Sequence, residues 1–265
     1  MHFLSSISVA AAAFTLTSAL PSKSPTVKRS TTPERVNGKY VVNGEIEFDH
    51  NLNFDFSSAR SLPEGLISSE FEIGTGTHKY TPDNVQVRDG YLELLVPGGQ
   101  TEMPYSCGEI ETEVRNILYA SVRTVAILTE PAGVCNGMFF YKSDTQETDI
   151  EWLSDPSSNS NGGTRKIWFT NQDADSDGEA THGTVAPPED ATTAEHEYRL
   201  DWTEGRVQWF LDGEQVWETD GDVPSTPGPW MWNNWANGSP GWSVGPPKED
   251  AVFKIKQIDM YYNTA

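Results

Sequence analysis

Hydrophobic and polar positions alternate along most of the chain after residue 40, in short runs that end at glycine, proline, Asn-Gly or Asp-Gly. Alternation with a period of two is typical of β-strands that bury one face. No amphipathic helix longer than two turns stands out after the first 20 residues. The pattern predicts an all-β domain. Its predicted strands are 84–87, 91–96, 108–114, 118–128, 137–141, 146–152, 166–171, 196–202, 207–211, 215–218 and 252–262.

The predicted strand 146–152 carries the clearest chemical signal. Its acidic residues Glu147, Asp149 and Glu151 occupy every second position and therefore share one face. Three acids on one sheet face repel one another, so folding alone gives little reason for them. Hydrolysis of a glycosidic bond does need two carboxyl groups that flank the scissile bond. On spacing alone, an acidic strand that faces solvent remains the alternative.

The retaining form of this reaction places its two carboxyl groups roughly 5 Å apart. Cα atoms four residues apart on a strand are separated by about 13 Å, so the strand must be curved and the side chains must lean together. We assign Glu147 as the nucleophile and Glu151 as the general acid and then base. Asp149, midway between them, would orient its neighbours and keep them in different protonation states.

The segment Glu147-Thr148-Asp149-Ile150-Glu151 resembles the Glu-x-Asp-x-Glu signature of glycoside hydrolase family 16, which includes laminarinases, lichenases and transglycosylases. It matches the regular-strand form, although Thr148 stands where the family usually has an aliphatic residue. His196, with Tyr198, Trp202 and a later Asp-Gly, resembles a segment of the family's convex sheet, which implies a structural role. The resemblance runs from about residue 40 to the end. It implies a concanavalin A-like jelly-roll sandwich of two curved antiparallel sheets, with the catalytic strand on the concave face.

Aromatic and amide side chains are the candidates for binding sugar. Four of the nine tryptophans, Trp230, Trp232, Trp235 and Trp242, lie between residues 229 and 242. Aromatic rings stack on the apolar C–H faces of sugars. We predict that Trp235 and one of Trp230 and Trp232 bind substrate, with burial in the core as the alternative for the latter two. Asn171 resembles an asparagine that faces the sugar in the family, and a turn residue at a strand end is its alternative.

Two other segments of the chain carry acidic patterns that could form a site. Glu109, Glu111 and Glu113 also alternate, but the resemblance places the segment 106–110 on a strand that precedes the catalytic one, so we do not assign them to catalysis. A supporting role in the cleft for one of them is the alternative. The run 173–178 begins like a calcium loop, but Thr184 stands where such a loop needs a bidentate glutamate. We therefore predict an acidic surface loop and no required cofactor or metal. A structural calcium ion is the alternative.

The N-terminal residues and the cysteines indicate an extracellular protein. An apolar run from residue 3 to 20, with Thr-Ser-Ala at 17–19, predicts a signal peptide over residues 1–19. Residues 20–37 read as a pro-like segment with a possible dibasic processing site at Lys28-Arg29, and residues 38–265 as the catalytic domain. In a secreted chain, Cys107 and Cys135 predict a disulfide, with two free buried thiols as the alternative.

Charge narrows the range of partners. The formal net charge is −21, and because residues 1–29 hold three basic residues and no acid, residues 30–265 carry −24. Such a surface repels nucleic acid and anionic membranes and suits a secreted monomer that acts on a neutral polymer. The resemblance implies a retaining endo-β-glucan hydrolase acting on β-1,3 or mixed β-1,3/1,4 glucan. A cell-wall glucan transglycosylase and a lectin on the same fold are the alternatives.

Overall fold

The computed structural model describes residues 29–176 and 178–265, which are built almost entirely from β-strands. In chain order the strands are β1 (Glu34–Val36), β2 (Lys39–Val42), β3 (Ile46–Phe48), β4 (His50–Asp55), β5 (Leu66–Ser68), β6 (Phe71–Glu72), β7 (His78–Tyr80), β8 (Val85–Arg88), β9 (Tyr91–Val96), β10 (Tyr105–Thr112), β11 (Ile117–Ile127), β12 (Cys135–Ser143), β13 (Gln146–Leu153), β14 (Ile167–Asn171), β15 (Thr181–Val185), β16 (His196–Thr203), β17 (Arg206–Leu211), β18 (Glu214–Thr219), β19 (Trp230–Trp235) and β20 (Ala251–Thr264). One 3-10 turn, Pro82–Asn84, precedes β8. In this part of the chain no helix is long and apolar enough to cross a membrane.

The strands form two large stacked sheets and one small one. The front sheet has the order β15-β14-β13-β12-β19-β10-β7-β6, with β5 beside β10. The back sheet has the order β18-β17-β16-β11-β20-β9-β8, with β4 beside β20. Strands β1 to β3 form a separate three-stranded sheet. Among the strands described here, only β7 and β10 pair in parallel, so the predicted antiparallel sandwich is confirmed.

Two hairpins follow directly from turn chemistry. Asp89 and Gly90 have φ values of 52° and 82°, and Asp212 and Gly213 have 51° and 74°. Two-residue hairpins of type I′ need a positive φ at both central residues, which Asp-Gly pairs accept. These turns join β8 to β9 and β17 to β18. Both predicted hairpins are therefore confirmed.

The core lies between the two large sheets and is rich in aromatic rings. Trp152 of β13 and Phe169 of β14 are buried, as are Trp202 and Trp209 of the back sheet. The polar edges of these rings find partners: Trp202 Nε1 donates to the Pro224 carbonyl at 2.8 Å. Alternate residues of a strand point to opposite faces. Because Trp152 points into the core, the residues that alternate with it on β13 lie on the outer face of the front sheet.

Two residues of the predicted pro-like segment, Ser30 and Thr31, contact the back sheet. The Ser30 amide donates to both carboxylate oxygens of Glu197 at 2.9 and 3.1 Å, and Arg123 donates to the Thr31 carbonyl at 2.6 Å. These two residues of the segment 20–37 are thus held against strands β16 and β11. The predicted signal peptide and Lys28 lie outside the described residues.

His196 has a structural position in the back sheet. Its Nδ1 lies 2.7 Å from Asp212 Oδ2 and its Nε2 lies 3.0 Å from Asp190 Oδ1. The hydrogen bond to Asp212 raises the pKa of His196, and burial opposes this only in part. His196 therefore ties the start of β16 to the following hairpin, as the sequence predicts.

Candidate active site

The strand β13 lies inside the front sheet, paired with β12 on one side and β14 on the other. Its Thr148, Ile150 and Trp152 are buried toward the back sheet. Its three acidic residues therefore point away from the core, and all three line a cleft on the outer face of the front sheet. The predicted sharing of one face by Glu147, Asp149 and Glu151 is confirmed.

Burial and hydrogen bonding shift the pKa of each of the three carboxyl groups, through different partners. Burial raises the pKa of all three groups. Asp149 is only 2% exposed, and its pKa is raised well above the usual range, first by burial and then by the charges of Glu147 and Glu151. It keeps its proton and donates a hydrogen bond to Glu147, which lowers the pKa of Glu147 against the effect of burial. Gln172 Nε2 donates to Asp149 Oδ2 at 3.2 Å and holds this carboxyl in place.

Glu151 has different partners from its two neighbours on the strand. The Cys135 thiol donates to Glu151 Oε1 at 3.2 Å, and Trp242 Nε1 donates to the same oxygen at 3.1 Å. Burial raises the pKa of Glu151 and these two hydrogen bonds lower it. Strand β13 thus presents Glu147 with the proton donor Asp149 beside it. It also presents Glu151, which accepts hydrogen bonds from a thiol and an indole. This asymmetry is what acid–base chemistry on a pair of carboxyls requires.

The cleft has two lobes that meet at Glu147 and Glu151. The first lobe lies over β10, β19 and β12 and is bordered by Tyr80, Glu109 and Phe139, among others. The second lies over β14 and β15. The lobes hold about 270 and 580 Å³ of space, on the order of small-molecule pockets. An elongated ligand can therefore cross the acidic residues from one lobe to the other.

A buried acid forms the polar floor of the first lobe. Glu109 is 2% exposed, and burial raises its pKa to about 7. Asn233 Nδ2 donates to Glu109 Oε2 at 3.1 Å and to the Tyr80 hydroxyl oxygen at 3.0 Å. Glu109 Oε1 and Asn233 Oδ1 have no partner among the described residues. Of the second alternating acidic run, Glu109 is the residue that lines this lobe.

Aromatic rings line the second lobe. Trp235 borders both lobes and stacks on His78, with the ring centroids 5.2 Å apart and an interplanar angle of 17°. Trp168 and Trp242 line the second lobe, their centroids 5.3 Å apart. Trp235 is thus in the cleft as predicted. Trp168 was missed, although it precedes Thr170 by two positions on a strand whose core face is marked by Phe169.

Two of the predicted sugar-binding tryptophans lie in the core instead. Trp230 is 1% exposed and Trp232 is fully buried. Trp232 Nε1 donates to Thr124 Oγ1 of β11 at 2.8 Å, so this ring reaches toward the back sheet. Trp235 stands at an odd spacing from both and therefore faces the cleft. The prediction that Trp230 or Trp232 binds substrate is wrong, and the alternative reading as core is right.

Asn171 also points away from the cleft. It is fully buried and its Nδ2 donates to the Gly221 carbonyl at 2.8 Å. On β14 it lies opposite Thr148, whose side chain faces the core, whereas Thr170 lies opposite Asp149 and lines the second lobe. The prediction that Asn171 contacts sugar is therefore wrong. Thr170 and Gln172 hold the positions beside the acidic residues.

The two cysteines are free buried thiols, which overturns the predicted disulfide. Cys107 lies on β10 and Cys135 on β12, and β19 lies between these strands. Strands two places apart in a sheet are separated by about 9–10 Å, whereas Cα atoms joined by a disulfide are usually no more than about 7 Å apart. The inserted strand therefore keeps the two thiols from bonding.

Metal ligands are not grouped in the part of the chain that the structure describes. No cluster of three or more His, Cys, Asp or Glu side chains there could hold a metal ion. Asp177, in the loop considered for calcium, is outside the described residues.

Comparisons with known proteins point to one family. The family model for glycosyl hydrolases family 16 matches residues 74–247. The chain is 27% identical over 135 residues to Congo red hypersensitive protein 1 of Saccharomyces cerevisiae, covering 49% of this chain and 25% of that protein. It is 27% identical over 153 residues to a β-glucanase of Paenibacillus polymyxa, covering 56% of this chain and 59% of that protein. The chain thus spans between a quarter and about three fifths of the length of these relatives.

A solved structure shows the same fold. A prokaryotic β-1,3-1,4-glucanase (lichenase) derived from a mouse hindgut metagenome superposes with a TM-score of 0.65 at 19% identity, covering 81% of this chain and 99% of the other. This likeness supports the predicted jelly-roll sandwich.

Proposed function

Because this chain belongs to the glycosyl hydrolases of family 16, we propose that it is a secreted, retaining endo-β-glucan hydrolase that acts on β-1,3 or mixed β-1,3/1,4 glucan. The observation that carries the proposal is the placement of Glu147, Asp149 and Glu151 on one face of one strand, at the junction of two open lobes. A glucan chain that crosses this junction brings one glycosidic bond to the two glutamates.

In the first step Glu147 attacks the anomeric carbon while Glu151 gives its proton to the departing oxygen. This leaves a covalent glycosyl-enzyme and an ionised Glu151. In the second step Glu151 takes a proton from water, and the water oxygen displaces Glu147 from the anomeric carbon. Two displacements at the same carbon restore its configuration. The hydrogen bond from Asp149 supports the ionised form of Glu147 before the attack and after its release.

The cleft has groups of the kind that bind neutral sugar. Trp235 lines both lobes, and Trp168 and Trp242 offer further rings in the second lobe. A formal charge of −21 does not repel an uncharged polymer.

A glucan transglycosylase is the second candidate. It would use the same covalent intermediate but pass the glycosyl group to a sugar hydroxyl instead of water. The aromatic second lobe supports this candidate, because an acceptor sugar would have to bind beside Glu151. Products longer than the starting oligosaccharide, followed over time, would identify transfer.

The experiment that tests the proposal compares the purified protein with Glu147→Gln, Glu151→Gln and Glu113→Gln on laminarin, lichenan, barley glucan and chitin. We expect new reducing ends from the unaltered protein and a loss of turnover in the first two variants. Glu113→Gln should remain active, because Glu113 belongs to the second alternating acidic run but is exposed outside both lobes. Near-native activity of Glu147→Gln or Glu151→Gln on every glucan would contradict the assigned roles. Absence of activity in the unaltered protein would contradict the hydrolase itself.

A further inference from the structure

Glu151 has an unusual pair of donors on one oxygen. The Cys135 thiol and the Trp242 indole N–H both bond Oε1, at 3.2 and 3.1 Å. No donor among the described residues bonds Oε2. Because an oxygen that accepts two hydrogen bonds is a poor place for a proton, the proton of the neutral acid belongs on Oε2.

Both donors are held firmly. Cys135 is fully buried at the start of β12. Trp242 lies in the loop between β19 and β20, and the carbonyl of its neighbour Gly241 accepts hydrogen bonds from Ser158 Oγ at 3.0 Å and Ser160 Oγ at 2.7 Å. Neither donor can therefore follow Glu151 if that side chain rotates. The hydrogen bonds fix the carboxyl in one rotamer.

We propose that Cys135 is a positioning residue of the reaction: together with Trp242 it fixes Glu151 Oε1, so that Oε2 is the oxygen that gives and takes the catalytic proton. This inference rests on the proposed function, in which Glu151 is the general acid and base. The role requires that Cys135 be a free thiol, because a disulfide sulfur has no hydrogen to donate to Glu151.

The environment keeps this thiol in the form that donates. Burial, and then the charge of Glu151, raise the pKa of Cys135 well above its usual range, so the sulfur keeps its hydrogen across the working pH range. A buried, protonated thiol is a poor nucleophile and a poor metal ligand. The role left to it is that of a hydrogen-bond donor to the carboxylate.

The test is the pH dependence of kcat/KM for Cys135→Ala, Cys135→Ser and the control Cys107→Ala. Activity is lost at high pH when Glu151 loses its proton. Removing a donor to the charged form raises the pKa of Glu151, so the alkaline limb of Cys135→Ala should move up by roughly half to one pH unit, the size expected for one weak hydrogen bond. Cys135→Ser keeps a donor and should restore the limb at least in part. Cys107→Ala removes an equally buried thiol that has no contact with Glu151 and should leave it unchanged.

Other titratable groups face the same cleft but are unaltered in all three variants; they are Glu147 and Asp149 on β13, Glu109 on β10, His78 and Tyr80 on β7, Tyr141 and Asp144 at the end of β12, and His182 on β15. A shift confined to Cys135→Ala therefore reports the lost thiol. Superimposable profiles for Cys135→Ala and Cys107→Ala, or equal shifts in both, would overturn the proposal. These outcomes are separate from failure of the proposed function, in which the unaltered protein itself would cleave no glucan.

Discussion

The protonated state of Asp149 leads to a prediction that separates two roles for this residue. If Asp149 acts as a neutral donor to Glu147, an asparagine can replace it, because its amide N–H can donate to Glu147 while its oxygen accepts from Gln172. Alanine supplies neither group. If Asp149 instead acts through a negative charge, asparagine and alanine should be equally damaging.

The magnitude follows from the hydrogen bond that is lost. A hydrogen bond to a charged group contributes about 1.5–3 kcal/mol, so Asp149→Ala should lower kcat/KM by roughly 10- to 150-fold. Loss of the donor also raises the pKa of Glu147, which moves the acidic limb of the pH profile to higher pH. Asp149→Asn should lose about tenfold or less, because an N–H···O⁻ bond is weaker than an O–H···O⁻ bond but remains charge-assisted.

The assay is initial-rate hydrolysis of laminarin and lichenan between pH 3 and pH 9, with the melting temperature of each variant as a check on folding. Equal losses in Asp149→Asn and Asp149→Ala, at equal melting temperatures, would refute the reasoning. A downward shift of the acidic limb in Asp149→Ala would refute it as well.

Three further predictions concern stability and binding. Thr148→Val should raise the free energy of unfolding by about 1 kcal/mol, because the buried Thr148 hydroxyl has no partner among the described residues; a lower unfolding midpoint in urea would contradict this. Trp232→Ala should cost about 3–5 kcal/mol of stability, whereas Trp235→Ala should raise KM with a small change in melting temperature; the reverse pattern would show that the two rings were misassigned. The folded-state pKa of His196 is raised above the unfolded value of 6.5, so protonated His196 stabilises the fold fully below pH 6.5 and this stabilisation is lost as the pH rises through the folded-state pKa. The melting temperature of the unaltered protein should therefore fall over that pH range, and that of His196→Gln should not fall in the same way. Parallel curves of melting temperature against pH for the two proteins would refute this prediction.

Local patterns predicted strands β8 to β14, β16 to β18 and β20, but not the short strands β1 to β7, nor β15 or β19. For the predicted strands, the alternation of side chains between the two faces would have corrected most of the wrong site assignments. The faces of β13 follow from Ile150 and Trp152, which mark the core side. The same rule applied to β14 would have placed Asn171 with Phe169 on the core side and Trp168 on the cleft side. Asn171 was assigned to the cleft by resemblance to the family rather than by the parity of its own strand.

The order of strands in the front sheet could not be predicted from local sequence. The strand β19 is separated from β10 and β12 by more than 85 residues of chain, yet it pairs with both. Its insertion separates Cys107 from Cys135, brings Asn233 beside Glu109, and places Trp235 between the two lobes. Such pairings depend on the whole sheet and not on local sequence. For this reason the disulfide prediction was wrong, and only some of the residues that line the cleft were predicted.

The central claim, that Glu147 forms a covalent bond to the sugar, can be measured directly. The protein is treated with a 2-deoxy-2-fluoro laminaribioside that carries a good leaving group, then digested and mapped by mass spectrometry. The account predicts one fluoroglycosyl adduct on Glu147, and none when Glu147→Gln is treated in the same way. An adduct on Glu151 or Asp149, or hydrolysis that inverts the anomeric configuration without any adduct, would contradict it.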